Sequence, residues 1–375
     1  MRTMQRLVGL LGVLAVGAAS TVAHAQEFRV RSADGTEIVG EAQTNAPRPP
    51  LAVIFVAGTG LFDRDANFGK TGTPRDLVFK DLAERVAKRG VASVRYDMRG
   101  VRYGTSDRLD RSLLARRTTG TMRDDLGAVY QWSRAPDGLG AACVAFFAHS
   151  EGMLHVARLA ELGTPAPTLV IGMGAGMESP AAIVRWQLTG RDVHSLKLMD
   201  VDQDGTTTNL EIRDNLARTP SAVHGKMQPY FHPSGAWKPD DVAALSATQR
   251  SIYDKLRAEV LTHADADIYP DVEQAFASYQ WWKGWFTDEK PAAELLAKWP
   301  APIILHYGDK DSQTHAPLQI AAAKAALPAE KLTIHVHAGR GHTLGDDVVL
   351  GPIDVAIADR IADEAAAAMA ACRRP

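Results

Sequence analysis

Ala141-Ala142-Cys143-Val144-Ala145-Phe146-Phe147 runs directly into Ala148-His149-Ser150-Glu151-Gly152. The first seven residues are small and apolar without alternation, as in a strand buried on both faces. Helix-like sequence follows from Gly152 to Leu162. A strand, a tight turn with a serine at its apex and a helix together form the sequence signature of a nucleophile elbow. The short pattern by itself fits a helix N-cap serine equally well; the buried strand before it selects the elbow.

A serine hydroxyl is a poor nucleophile unless a base reaches it. Candidates lie far downstream. The apolar strand Ile303-Ile304-Leu305-His306 is followed by Gly308-Asp309-Lys310-Asp311, and the segment Ile334-His335-Val336 by Gly341-His342-Thr343. Asp309 and Asp311 are both candidates for the acid; Asp311 is preferred because the α/β-hydrolase order that this chain resembles usually places its acid a few residues beyond the strand end. His342 is preferred over His315, His335 and His337. The last two alternate within a strand pattern and read as strand side chains. The chain order Ser150, Asp311, His342 is the order found in α/β hydrolases. Ala52 to Val56 reads as another buried strand, ending in Ala57-Gly58-Thr59-Gly60. Glycines there let backbone N–H groups face a developing oxyanion. The expected donors are the amides of Thr59 and Glu151.

Gly58-Thr59-Gly60, Asp63-Arg64-Asp65-Ala66-Asn67, Tyr96-Asp97-Met98-Arg99-Gly100 and His149-Ser150-Glu151-Gly152 together resemble one α/β-hydrolase subgroup. That subgroup holds carboxylesterases and serine-aminopeptidase-like hydrolases with a G-H-S-E-G elbow. The resemblance spans roughly residues 27–175 and 300–370. It implies a mostly parallel, doubly wound α/β sheet, a Ser150–His342–Asp311 triad, and cleavage of a small-molecule ester through an acyl-enzyme. An aminopeptidase-like amidase with the same triad is the alternative, with Glu151 or Asp63 holding the substrate amine. Ala148 in place of glycine, and Leu61-Phe62 where proline is common, depart from the pattern. No organic cofactor is called for.

Alternating strands and helices, from a hairpin at Phe28–Gly40 to a closing helix at Ile353–Ala371, agree with that fold. The expected organisation is a signal peptide over 1–25, hydrolase core over 26–176 and 301–375, and a helical lid over 177–300. Met1 to Arg6 carries two positive charges, Leu7 to Val22 is uncharged, and Ala23-His24-Ala25 offers a cleavage site. Export to the periplasm or medium is therefore expected, with no stable membrane insertion after cleavage. Basic and acidic side chains nearly balance, 42 against 44, and no basic stripe occurs, which speaks against nucleic acid. The two cysteines, Cys143 and Cys372, read as a buried thiol and a tail thiol rather than a disulfide.

Within the lid, Trp186, Trp237, Tyr279, Trp281, Trp282, Trp285 and Phe286 serve either as its core or as an apolar wall for substrate. The lid also contains Asp200-Val201-Asp202-Gln203-Asp204-Gly205-Thr206-Thr207-Thr208-Asn209-Leu210-Glu211. This satisfies D-x-[DN]-x-[DN]-G-x5-E, the EF-hand calcium loop. Asp200, Asp202, Asp204, the Thr206 carbonyl, Thr208 and Glu211 are the expected ligands, and Gly205 permits the bend. No second loop of this kind appears in the sequence, so a weak structural calcium is expected. A non-catalytic calcium-binding protein is the reading that remains if the triad is inert.

Overall fold

A computed structural model describes residues 24–69, 71–104, 108–215, 230–269, 277–346 and 350–372. The expected signal peptide falls largely outside these residues; His24 and Ala25 already belong to the first strand.

In chain order the elements are β1 (His24–Arg31), β2 (Glu37–Thr44), β3 (Leu51–Val56), α1 (Val78–Lys88), β4 (Ala92–Tyr96), α2 (Arg111–Leu114), α3 (Thr119–Arg134), β5 (Cys143–His149), α4 (Gly152–Glu161) and β6 (Leu169–Met173). A mostly helical insertion follows with α5 (Pro180–Thr189), α6 (Arg191–Met199), β7 (Thr207–Thr208), α7 (Asn209–Asp214), β8 (Ala236–Trp237), α8 (Pro239–Thr262), α9 (Tyr279–Thr287) and α10 (Ala292–Leu296). The sheet then resumes with β9 (Ile303–Gly308), α11 (Ala316–Ala326), β10 (Leu332–His337) and α12 (Val355–Cys372).

The main sheet runs β1-β2-β4-β3-β5-β6-β9-β10. β1 and β2 are antiparallel additions at one edge, and every pairing from β4 to β10 is parallel. This is the α/β-hydrolase arrangement. β3 and β5 lie at its centre, covered on both faces, which explains their unbroken apolar runs. One face packs on α1 and α12, the other on α3, α4, α10 and α11. α3 begins at Thr119. Thr118 caps it reciprocally with Thr121, turning a Thr/Gly stretch that reads as loop into a first helical turn.

The cysteine expectation is corrected. Cys143, at the start of β5, and Cys372, at the end of α12, form a disulfide with Cα atoms 5.8 Å apart. The closing helix runs back across the sheet and returns its tail to the base of the central strand.

The acidic loop does not stand alone in the fold, although no second segment carries its donor pattern. β7 pairs antiparallel with β8, Thr207 opposite Trp237 and Thr208 opposite Ala236. Counted from Thr207 and Trp237, the residue two positions earlier in each segment is a glycine with positive φ, Gly205 (φ 86°) and Gly235 (φ 92°). The capping pair Thr208 and Glu211 likewise matches Lys238 and Asp241. Residues 230–241 thus form a second loop of the same shape, with Tyr230, His232 and Ser234 where the first has Asp200, Asp202 and Asp204. Leu196, Met199, Ile212 and Tyr230 form the shared small core, with Trp237 against it. α8 leaves the second loop and packs on α5 and α9.

Candidate active site

Ser150 sits between β5 and α4 with φ 54°, in the left-handed region that a non-glycine residue adopts only under constraint. Its amide donates to the Met173 carbonyl at 3.0 Å, pinning the turn to β6. Close approach around the serine depends on two glycines. A Cβ on Gly152 would lie 2.4 Å from the Val56 carbonyl oxygen, and one on Gly58 2.6 Å from the Ser150 Cβ. Both positions bring the β3 loop against the elbow. Ala148 is fully buried and its methyl packs in the core.

The loop after β9 places Asp311 beneath the loop after β10. His342 Nδ1 lies 2.8 Å from Asp311 Oδ2. The other carboxylate oxygen accepts the amides of Gln313 at 2.7 Å and Thr314 at 2.9 Å, and the Thr314 hydroxyl lies 2.8 Å from Oδ2. A carboxylate held in this way favours the His342 tautomer with its proton on Nδ1, which leaves Nε2 as the base. Asp309 does something else: its Oδ1 accepts the Gly339 amide at 2.7 Å and ties the two loops together.

Ser150 and His342 line the same cavity, of about 200 Å³, with Thr59, Glu151 and the lid tryptophans Trp281, Trp282 and Trp285. Among the described residues no hydrogen bond joins the Ser150 hydroxyl to His342. Such bonds are often long in unliganded sites and tighten around substrate. Nor, among the described residues, does the backbone amide of Thr59 or Glu151 have a protein acceptor. These are the two donors the sequence assigns to an oxyanion.

His149 is wedged between Phe68 and His342, with ring centroids 4.8 Å from each. Burial, and secondarily His342, push it well below the usual histidine range. A neutral neighbour does not oppose the charge His342 gains when it takes a proton.

The Glu151 side chain, 2 % exposed, is the centre of a latch. Oε2 accepts the Thr59 hydroxyl at 2.6 Å, and Oε1 accepts the Trp281 indole N–H at 3.2 Å. The Ser150 turn, the loop after β3 and helix α9 thus meet on one carboxylate. Asp63 is equally engaged, accepting the Asp65 amide and pairing with Arg108. Each oxygen of both carboxylates thus already accepts one hydrogen bond from the protein. Arg117, which no sequence signal marked, donates from Nη1 to the Gly60 carbonyl at 2.8 Å. Burial draws this guanidinium down, and the nearby Glu151 charge partly restores it. The aromatic alternatives divide by residue. Trp281, Trp282 and Trp285 are both core and cavity wall, Phe286 is core, Trp186 stacks on His315, and Trp237 belongs to the small lobe.

In the acidic loop, ligand oxygens of Asp200, Asp202 and Asp204 all lie within 4.8 Å of one another. Asp200 Oδ1 has no hydrogen-bond partner. Glu211 is turned onto its helix N-terminus: Oε1 accepts the Val201 amide, and Oε2 lies 2.8 Å from both the Thr208 amide and its hydroxyl. The loop gathers three carboxylates, and the fourth must rotate to join them.

No family model matches the chain, and no curated protein matches it. Solved structures do, at low identity. An esterase of Pyrococcus furiosus is 10% identical over 93% of this chain and 91% of that one, with a TM-score of 0.47. An esterase of Rhodococcus sp. is 16% identical over 92% of this chain and 99% of its own, with a TM-score of 0.48. A proline iminopeptidase of Mycobacterium smegmatis is 13% identical over 92% and 99%, with a TM-score of 0.49. The fold assignment rests on strand order and elbow geometry rather than on these likenesses.

Proposed function

Proceeding from the α/β-hydrolase fold, we propose that this chain is an exported serine hydrolase that cleaves small carboxylic esters. Ser150 Oγ attacks the ester carbonyl while His342 Nε2 takes its proton. The oxyanion settles between the Thr59 and Glu151 amides, each such donor being worth on the order of 10²–10³ in turnover. Collapse expels the alcohol, which receives the proton back from His342. Asp311 stabilises the imidazolium throughout. Water, activated by the same imidazole, then attacks the acyl-serine and releases the acid.

The observation that carries this reading is convergence on one cavity. A serine in a left-handed turn, an imidazole whose Nδ1 is held by a carboxylate, and two residues whose amides have no protein acceptor among the described residues all line it. Its small volume and tryptophan wall suit a short acyl group or alcohol. The engagement of Glu151 and Asp63 weighs against the aminopeptidase alternative, and the disulfide agrees with export to an oxidising compartment. Among the described residues no helix is long and apolar enough to cross a membrane.

Turnover of short-chain aryl esters by the wild type and by Ser150→Ala tests the proposal. Loss of more than about 10³-fold is expected; equal rates would reject it and leave a calcium-binding protein with an inert core. A parallel panel of amino-acid arylamides ranks ester against amide cleavage.

The acidic loop fits calcium through Asp200, Asp202, Asp204, the Thr206 carbonyl and Thr208, with Glu211 joining after rotation. Such an ion would clamp α6 and α7 and steady the lobe whose helix α8 packs on α5 and α9. It has no part in the chemistry. Melting curves with calcium and with a calcium chelator check this: an upward shift is expected with calcium, and identical curves with no retained metal end it.

A further inference from the structure

A second group of metal-ligating side chains lies away from the cavity, at the opposite edge of the sheet from the hairpin. β9 and β10 pair in parallel with His306 opposite His335, so these two side chains leave the same face of the sheet. His337, two residues on, shares that face. α12 covers it and brings Glu364 down between the rings. His306 Nε2 lies 2.9 Å from Glu364 Oε2, and His335 Nε2 lies 3.3 Å from Glu364 Oε1. One donor atom from each of His306, His335 and Glu364 falls within a 4.8 Å cluster.

We propose that His306, His335 and Glu364 bind a divalent transition metal, Zn²⁺ being the ion they suit best, and that it clasps β9, β10 and α12. Two imidazole nitrogens and a carboxylate oxygen form a borderline-soft set suited to zinc. With bonds of about 2.0–2.2 Å, tetrahedral donors stand roughly 3.3–3.5 Å apart. The two histidines contact different oxygens of Glu364, at 2.9 and 3.3 Å, so binding requires the carboxylate and the partly exposed His335 to readjust around one ion. Solvent supplies the fourth position.

The outer contacts suit the same role. His306 is fully buried, and its Nδ1 lies 3.0 Å from His337 Nε2. That partner can accept the Nδ1 proton and leave Nε2 bare toward the metal, the usual device for orienting a ligating histidine. Arg360 opposes the site, its Nη1 3.4 Å from His335 Nδ1. For His335 to bind through Nε2 its proton must move to Nδ1 and Arg360 must turn away. β9 leads to Asp311 and β10 to His342, so a metal here would brace the two strands that present the acid and the base.

The test is zinc binding by full-length protein stripped with a zinc-selective chelator, with calcium held constant. Isothermal titration with ZnCl₂ and elemental analysis after gel filtration should give one zinc per chain and a higher Tm. His335→Gln should lower affinity on the order of 100-fold, and His337→Ala by about 10- to 100-fold as an outer partner. Ser150→Ala and His342→Ala should retain full stoichiometry, which separates this site from the cavity. Cobalt(II) loading should give the visible bands of a four-coordinate nitrogen–oxygen site, readable without a stability measurement. Absence of stoichiometric zinc in the wild type, or binding unchanged in His335→Gln, overturns the proposal. So does binding lost in His342→Ala but kept in His335→Gln.

Discussion

Removing the carboxylate of Glu151 tests the latch directly. In Glu151→Ala the Thr59 hydroxyl and the Trp281 indole N–H both lose a charged acceptor in a buried setting. Hydrogen bonds to charged groups contribute about 1.5–3 kcal/mol each, so the pair is worth about 3–6 kcal/mol before any relaxation. At about 2 °C per kcal/mol for a large domain, Tm should fall by roughly 6–12 °C. Catalysis should suffer separately. Thr59 is one of the two proposed oxyanion donors, and with its side chain released its amide loses its aim. Loss of one donor predicts a fall of about 10²–10³ in kcat, with a smaller change in KM because the contact matters in the transition state. Glu151→Gln discriminates geometry from charge. Its carbonyl oxygen can accept from Trp281 while its amide donates to the Thr59 oxygen, so both contacts survive as neutral bonds. About tenfold loss and a small Tm shift are expected. Thr59→Val combined with Glu151→Ala should be far from additive. The assay is steady-state aryl-ester hydrolysis beside calorimetry. If Glu151→Ala unfolds earlier yet keeps its kcat, the latch is structural only and the reasoning about Thr59 is refuted.

The turn at Ser150 predicts an order of stability among inactive variants: at φ 54° glycine should beat alanine by up to about 1 kcal/mol, seen as a higher Tm for Ser150→Gly than for Ser150→Ala. The disulfide closes a separation of 229 residues. Its loss should cost about 2–5 kcal/mol, so reductant should lower the wild-type Tm and leave Cys372→Ser, already lowered, unaffected. His315 is drawn down to about 4 by burial first and by His194 second. Because the unfolded chain takes up this proton at its ordinary value near 6.5, stability should decline as pH falls from about 6.5 to about 4 and level off below. Urea titrations across that range should give a shallower slope for His315→Gln; an unchanged slope assigns the acid sensitivity elsewhere.

Local chemistry wrote much of this molecule legibly. The elbow could be read because strand, turn and helix are contiguous, each demanding particular residue types within a few positions. Asp311 and His342 were legible because each follows a recognisable strand. The calcium-type loop was legible because twelve consecutive residues carry the whole donor pattern. Its twin at 230–241 was not, since Tyr230, His232 and Ser234 replace the carboxylates. Only the pairing of Thr207 with Trp237 exposes the shared shape.

Residues distant along the chain stayed silent for a physical reason: sequence fixes what a side chain can do, and packing fixes whom it meets. Cys143 and Cys372 looked like separate thiols until α12 folded back across the sheet. Glu151 looked like a residue after a nucleophile until α9 and the β3 loop closed on its two oxygens. His335 and His337 looked like strand side chains, which they are, until register set His306 beside them and α12 added Glu364. By itself the sequence determined the doubly wound sheet, the strand–turn–helix at Ser150 and the loops that carry Asp311 and His342, because short-range periodicity and turn chemistry encode them. Tertiary structure alone decided the latch, the disulfide and the histidine cluster, because each is a meeting of groups from separate elements that only the packed core brings within bonding distance.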